Sequence, residues 1–206
     1  TQWQTTDRFR DTTNWYHIFV KYTLAESSNA DKVKLYVNGR SVSLTATQTG
    51  SAVTSSRLLT SGTVINISKY YNSSYYLDGY LAEYNLIDGD ADYTDFGELK
   101  SGLWIPKKYT GSFGNSGFRL TFGNSSSIRE DTSGNGKDFT ANGLDSSDIF
   151  SDTPTNNFAT FNNLYRDFDS EPTYKEGNLR MDATSSSWFN TVSTFAVSSG
   201  KWYAEF

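Results

Sequence analysis

The sequence predicts an all-β protein, and three observations carry that reading. Aromatic residues make up 16% of the 206-residue chain, with 14 Tyr, 14 Phe and 5 Trp, a mix that packs well on a pleated surface. Apolar residues recur with a period of two in several short runs, whereas no stretch is dominated by Ala, Leu and Glu and none carries a heptad pattern. Gly, Asn, Asp and Ser punctuate those runs as turn residues do. The 36% hydrophobic content is enough for a core, and the length suits one large sandwich or two smaller units.

The elements follow in order. NWYHIFVKY, residues 14–22, places Tyr16, Ile18, Val20 and Tyr22 on one face and Trp15, His17 and Phe19 on the other, so a strand covered on both faces is expected. DKVKLYVNGRSVSLTA, residues 31–46, alternates through Val33, Leu35 and Val37, reaches Asn38-Gly39, and alternates again through Val42 and Leu44. Asn-Gly between such runs predicts a β-hairpin, because a type I′ turn needs positive φ at both central positions. GTVINIS, residues 62–68, reads as a short strand around Val64, Ile65 and Ile67. YYLDGYLAEYNLIDG, residues 75–89, reads as a longer one with Tyr80, Ala82, Tyr84 and Leu86 on one face and a turn at Asp88-Gly89. GFRLTF, residues 117–122, is a further strand, and the Gly-, Ser-, Asn- and Asp-rich sequence after it is expected to be loop or tether.

Between Asp145 and Asp182 there are eight acidic residues against Arg166, Lys175 and Arg180, and Pro154 and Pro172 interrupt any regular element. Beyond them STFAVSSGKWYAEF regains β character. The expected organisation is a β-sandwich part over residues 1–123, a polar junction over 124–160, and the opening of a second β unit over 161–206.

Charge and composition exclude several function classes. The absence of cysteine rules out disulfides and thiolate metal sites. A net charge of −5 with scattered Lys and Arg argues against nucleic acid as a partner. No apolar run approaches the roughly 18 residues of a spanning helix, so no membrane insertion is expected. The chain begins at Thr1 and ends on an apolar strand-like run, and an unpaired strand edge invites association; both ends are expected to be cuts in a longer protein.

Candidate chemistry is sparse. His17 is the single histidine and lies between Trp15 and Phe19; it is expected to be a packed, structural residue. Sandwich-fold glycosidases present two carboxylates on one cleft face, and no strand here alternates acids; Glu83, alone between Ala82 and Tyr84, reads as an outward charge. The densest acidic cluster, DGDADYTDFGE, holds Asp88, Asp90, Asp92, Asp95 and Glu98. Asp88, Asp90 and Asp92 are calcium candidates because carboxylates two apart can converge on one ion, but an EF-hand loop starting at Asp88 would need Gly where Tyr93 stands and Glu where Leu99 stands. A solvated acidic turn is the default expectation, with no cofactor. Trp104, Tyr109 and Phe113 in GLWIPKKYTGSFG are expected in loops, as sugar-stacking platforms or as core plugs, the core being the default. Sequons at Asn66, Asn72 and Asn124 arise readily in a chain rich in Asn, Ser and Thr.

Several segments in series, FRDTTNWYHIFVKY, VKLYVNG, YLDGYLAEYNLIDG, FGELKSGLWIPKKYTGSFGNSGFRLTF, DTSGNGKDFTANG and DTPTNNFATFN, resemble the concanavalin A-like (laminin G-like) sandwich domains of bacteriophage tail, fibre and other structural proteins. The resemblance spans residues 9–162. It implies a jelly-roll antiparallel sandwich, represented here by its later strands, and then the first strands of a SPRY-like sandwich, in which SGKWYAEF would be an early strand. It further implies a virion component, a tail-fibre or capsid-fibre piece, displayed in many copies as a homo-oligomer beside other virion proteins, with host-surface glycan attachment as its role and no catalytic residues to carry over. A polysaccharide depolymerase on the same fold, a purely architectural virion protein and a cellular laminin G-like adhesion domain are the competing expectations.

Overall fold

Short alternating runs broken by turn residues favour small sheets closed by local hairpins. In the computed structural model, which describes residues 2–46, 64–70, 74–156, 158–165, 172–183 and 190–204, regular structure is antiparallel strand apart from two single 3-10 turns. The class is therefore all-β. Two compact units are present, Thr1–Arg8 with Tyr16–Ile149, and Phe9–Trp15 with Phe150–Phe206.

In the first unit β1 (Trp3–Thr5) pairs with β5 (Leu44–Ala46). The three-stranded sheet runs β2 (Ile18–Tyr22), β3 (Val33–Val37), β4 (Arg40–Val42), with Ile18 opposite Val37 and Leu35 opposite Val42. β6 (Tyr84–Leu86) pairs with β9 (Phe118–Leu120), and β7 (Gly97–Lys100) with β8 (Leu103–Pro106). Phe118 and Leu120 on β9 are the most buried large side chains among the described residues, and Phe118 is stacked on Tyr84 at 5.8 Å and tilted against Phe139 at 4.8 Å. The polar segment from Asn124 to Ile149 carries no strand and belongs to this unit.

The Asn38-Gly39 hairpin forms as expected, with φ of 49° and 72° at the two turn residues. A second turn of the same kind, Ser101 (φ 50°) and Gly102 (φ 84°), joins β7 to β8 and lacks an Asn-Gly signature.

Four expectations are corrected. The strand expected over residues 14–22 starts at Ile18, and only one of its faces is covered: Phe19 packs on Tyr36 and Phe96, while Ile18 and Val20 are 63% and 58% exposed. The reason is position, since β2 is an outer strand of its sheet. Residues 64–68 form no strand, because Ser68 (φ 66°) turns the chain and Leu77 N–H returns to the Ser68 carbonyl; residues 62–63 lie outside the described residues. That return also ties residues 75–77 back to 68–70, through Tyr70 N–H to the Tyr75 carbonyl, so the long strand over 75–89 shrinks to β6 and Tyr80 stays exposed. Residues 200–204 carry no strand either: Gly200 has φ 101°, the Trp202 indole donates to the Ser199 carbonyl at 2.7 Å, and Trp202 and Tyr203 face solvent. Phe206 lies outside the described residues.

The second unit holds the hairpin of β10 (Thr173–Lys175) and β11 (Arg180–Asp182). Residues 9–15 join it through Thr12 Oγ1 donating to Asn163 Oδ1 (2.8 Å) and Trp15 Nε1 donating to Asp152 Oδ2 (3.3 Å). Phe161 packs on Tyr174, whose hydroxyl meets Thr191 Oγ1 at 2.9 Å.

Candidate functional site

Rings from three parts of the first unit meet in one cluster. Phe19 and Tyr36 come from the same face of β2 and β3, Tyr93 from the 3-10 turn Tyr93–Asp95, and Trp104 from β8. Tyr36 stacks on Tyr93 at 4.3 Å, Tyr93 lies 5.8 Å from Trp104, and His17 stacks on Trp104 at 5.6 Å. Phe96 joins this group to the following loop by stacking on Tyr109 at 4.7 Å and 8°. Such contacts fix ring orientation more tightly than apolar burial alone.

The loop after β8 is built on that cluster. Lys107 N–H donates to the Phe96 carbonyl at 2.7 Å, and the buried Tyr109 donates its hydroxyl to the Ser112 carbonyl at 3.0 Å. Gly111 lies so close to the Tyr109 ring that any Cβ there would overlap it. Burial, and then the Asp95 charge, push the Tyr109 phenol pKa up, so the hydroxyl stays protonated and donating. Outside this seat lies a shallow open cleft of about 620 Å³ lined by Asp95, Lys107, Lys108, Tyr109, Thr110 and Gly111.

Several cations of the first unit are held in ion pairs. Lys21 is paired with Asp90, Arg40 with Asp7, Lys100 with Glu98 and Arg119 with Glu83, at 2.5, 2.7, 2.8 and 2.7 Å. Lys107 and Lys108, both exposed, make no ion pair among the described residues. The two exposed ammonium groups, the Asp95 carboxylate and the Thr110 hydroxyl can hydrogen-bond a polyhydroxylated ligand.

Trp104 lies on a strand, not in a loop, with its ring against His17 and Tyr93. Tyr109 is buried, and Phe113 is half-buried edge-on to it at 5.2 Å. Tyr109 and Phe113 are thus brought together, while Trp104 belongs to the neighbouring stack. The acidic cluster is divided among separate partners. Asp88 accepts from Ser116 N–H (3.0 Å), Asp90 takes Lys21, Asp92 and Asp95 cap the 3-10 turn reciprocally, and Glu98 takes Lys100. Among the described residues no group of three or more His, Asp or Glu side chains is placed to hold a metal ion. Asn124 donates to Glu130 at 2.7 Å, Asn66 is exposed, and Asn72 lies outside the described residues.

His17 has a half-buried ring whose Nδ1 is buried with no hydrogen-bond partner among the described residues, as are Trp104 Nε1 and Asn85 Oδ1. Burial lowers the His17 pKa and outweighs the opposing pull of Glu83. Glu83 accepts from Arg119 Nε and from Asn85 Nδ2 at 3.1 Å.

A polar centre that periodicity does not reveal lies in the loop of residues 131–139. The buried Asp131 accepts from the backbone N–H groups of Arg119 (2.8 Å), Ser133 (2.9 Å) and Lys137 (2.8 Å) and from Ser133 Oγ (2.9 Å). Its own N–H goes to Asp138, while Asn135 Nδ2 donates to the carbonyls of Gly114 and Gly117 at 2.7 and 2.8 Å. Burial works to raise the Asp131 pKa, but the bonds from Arg119, Lys137 and Ser133 outweigh it and hold the carboxyl below its ordinary value. The spacing of Asp, Ser, Asn and Asp with two intervening glycines was the available signal.

Comparison of the chain with family models, with curated proteins and with solved structures gave no match.

Proposed function

We propose that this chain is a non-enzymatic structural module of a bacteriophage particle, a tail-fibre or capsid-fibre component with a concanavalin A-like jelly-roll sandwich, displayed outside the virion to attach to host-surface glycan. The all-β antiparallel architecture supports it, as does the series of motifs over residues 9–162. The observation that carries the attachment role is the open cleft at residues 107–111, where the exposed Lys107, Lys108 and Thr110 of a loop held by Phe96 and Tyr109 lie beside Asp95 of the 3-10 turn. Exposed polar groups of this kind bind saccharides weakly one at a time; repeated copies on one particle raise the effective concentration and make the sum strong.

The test is binding of purified chain, presented multivalently on beads, to a panel of bacterial surface polysaccharides. Retention on at least one polysaccharide, reduced severalfold by joint Lys107→Gln and Lys108→Gln substitution, is expected. Failure to retain any member of the panel or whole host cells leaves an architectural role in the particle. Release of reducing sugar during the incubation would instead favour a depolymerase.

A further inference from the structure

Asn-Gly occurs three times in the chain, at Asn38-Gly39, Asn135-Gly136 and Asn142-Gly143. It is the dipeptide most open to intramolecular attack, because glycine puts no side chain beside its amide nitrogen and lets the backbone turn towards the asparagine carbonyl. Two of the three are held. Asn38 Oδ1 accepts from His17 N–H at 2.8 Å, Asn38 N–H donates to the His17 carbonyl at 2.9 Å, and Gly39 is packed against the Trp104 ring. Asn135 has its side-chain nitrogen bonded to two carbonyls.

Asn142 is exposed and makes no hydrogen bond among the described residues. The last tie upstream is Phe139 N–H to the Arg129 carbonyl, the next downstream is the reciprocal cap of Asp145 and Asp148, and residues 140–144 between them make no hydrogen bond among the described residues. Gly143 has φ 77° with open space on its Cβ side, and Leu144 is exposed.

We propose that Asn142 is the preferred site of spontaneous modification in this protein, by deamidation. The Gly143 amide nitrogen attacks Asn142 Cγ, a C–N bond forms, and the side-chain nitrogen leaves as ammonia with the amide proton. Water then opens the cyclic imide at either carbonyl, leaving aspartate or isoaspartate and making the chain one charge more negative. At Asn38 the side chain is held by His17 N–H with Gly39 seated on the Trp104 ring, and at Asn135 the leaving nitrogen is bonded to two carbonyls; the same step must first loosen these contacts, which slows it about tenfold or more.

Incubation of the intact chain at mildly alkaline pH, followed by peptide mapping and ion-exchange separation, tests this. The peptide containing Asn142 should gain the deamidation mass first, an acidic form should appear in parallel, and isoaspartyl methyltransferase should label that form. Asn142→Gln should remove most of the acidic form while leaving the melting temperature unchanged. Deamidation at Asn38 or Asn135 at an equal or greater rate overturns the proposal, as does an acidic form that persists undiminished in Asn142→Gln.

Discussion

The indole of Trp104 rests against the α-carbons of two glycines at once, its six-membered ring over Gly39 in the Asn38-Gly39 turn and its Nε1 edge over Gly97 on β7. A Cβ on either glycine would overlap the ring. This seat holds the β2–β3–β4 sheet against the β7–β8 hairpin, and the His17 ring closes it from one side. Gly39→Ala adds the penalty of a side chain at φ 72° to that overlap, and should cost about 2–4 kcal/mol. Gly102→Ala has the same backbone penalty at φ 84° with no neighbour within 4 Å, and should cost only about 1 kcal/mol. Urea denaturation followed by tryptophan fluorescence separates the two; equal losses would mean that the contact with Trp104 contributes nothing.

His17 brings a pH dependence to the same cluster. Its folded pKa is depressed by burial, so the folded state favours the neutral ring. Its contribution is fully present above the unfolded value of about 6.5 and is lost as pH falls from there through the folded value. Melting temperature should decline on acidification between about pH 7 and 5, before most carboxylates titrate. His17→Phe keeps a ring against Trp104, removes the unpartnered Nδ1, and should flatten that decline. An unchanged slope in His17→Phe would assign the effect to another group.

The two faces of β2 should respond unequally to substitution. Phe19 contacts Tyr36 and Phe96, whereas Ile18 and Val20 point to solvent. Phe19→Ala should cost about 3 kcal/mol, while Ile18→Thr and Val20→Thr should each stay within about 0.5 kcal/mol. Chemical denaturation of the three variants measures this, and a large loss at Ile18 would place a covering element on that face.

These residues also show what can be read from order alone. Alternation in IFVKY identifies a strand but not which face is covered, because coverage depends on where the strand lies in its sheet. Asn38-Gly39 was legible because a type I′ turn restricts its residues; Ser101-Gly102 adopts the same turn with a serine that carries no such preference. The pairing of β1 with β5 joins segments far apart in sequence, and no local pattern reports it. At the cleft, Tyr109 was legible as an aromatic, whereas the placing of Lys107 and Lys108 beside Asp95 depends on how the loop after β8 is tied back to Phe96, a property of the folded surface.

Asp131 illustrates the remaining gap, since its segment lacks apolar periodicity and yet is fixed by hydrogen bonds. Four donors converge on one buried carboxylate, and charge-assisted bonds of this kind exceed neutral ones in strength. Asp131→Asn keeps one acceptor oxygen and turns an amide group towards donors that need an acceptor, so about 3 kcal/mol of local stability should be lost. Because the four bonds fix one loop, hydrogen exchange at the Ser133 and Lys137 amides reads their loss directly. The folded pKa of Asp131 lies below its ordinary value, so its contribution is present above about pH 4 and disappears as pH falls through the folded value. Protection of those amides in the unsubstituted chain should fall on strong acidification, and Asp131→Asn should begin low and lack that carboxyl-dependent loss. Equal protection in both forms at neutral pH would show that the glycine turns and Asn135, not the carboxylate, hold the loop.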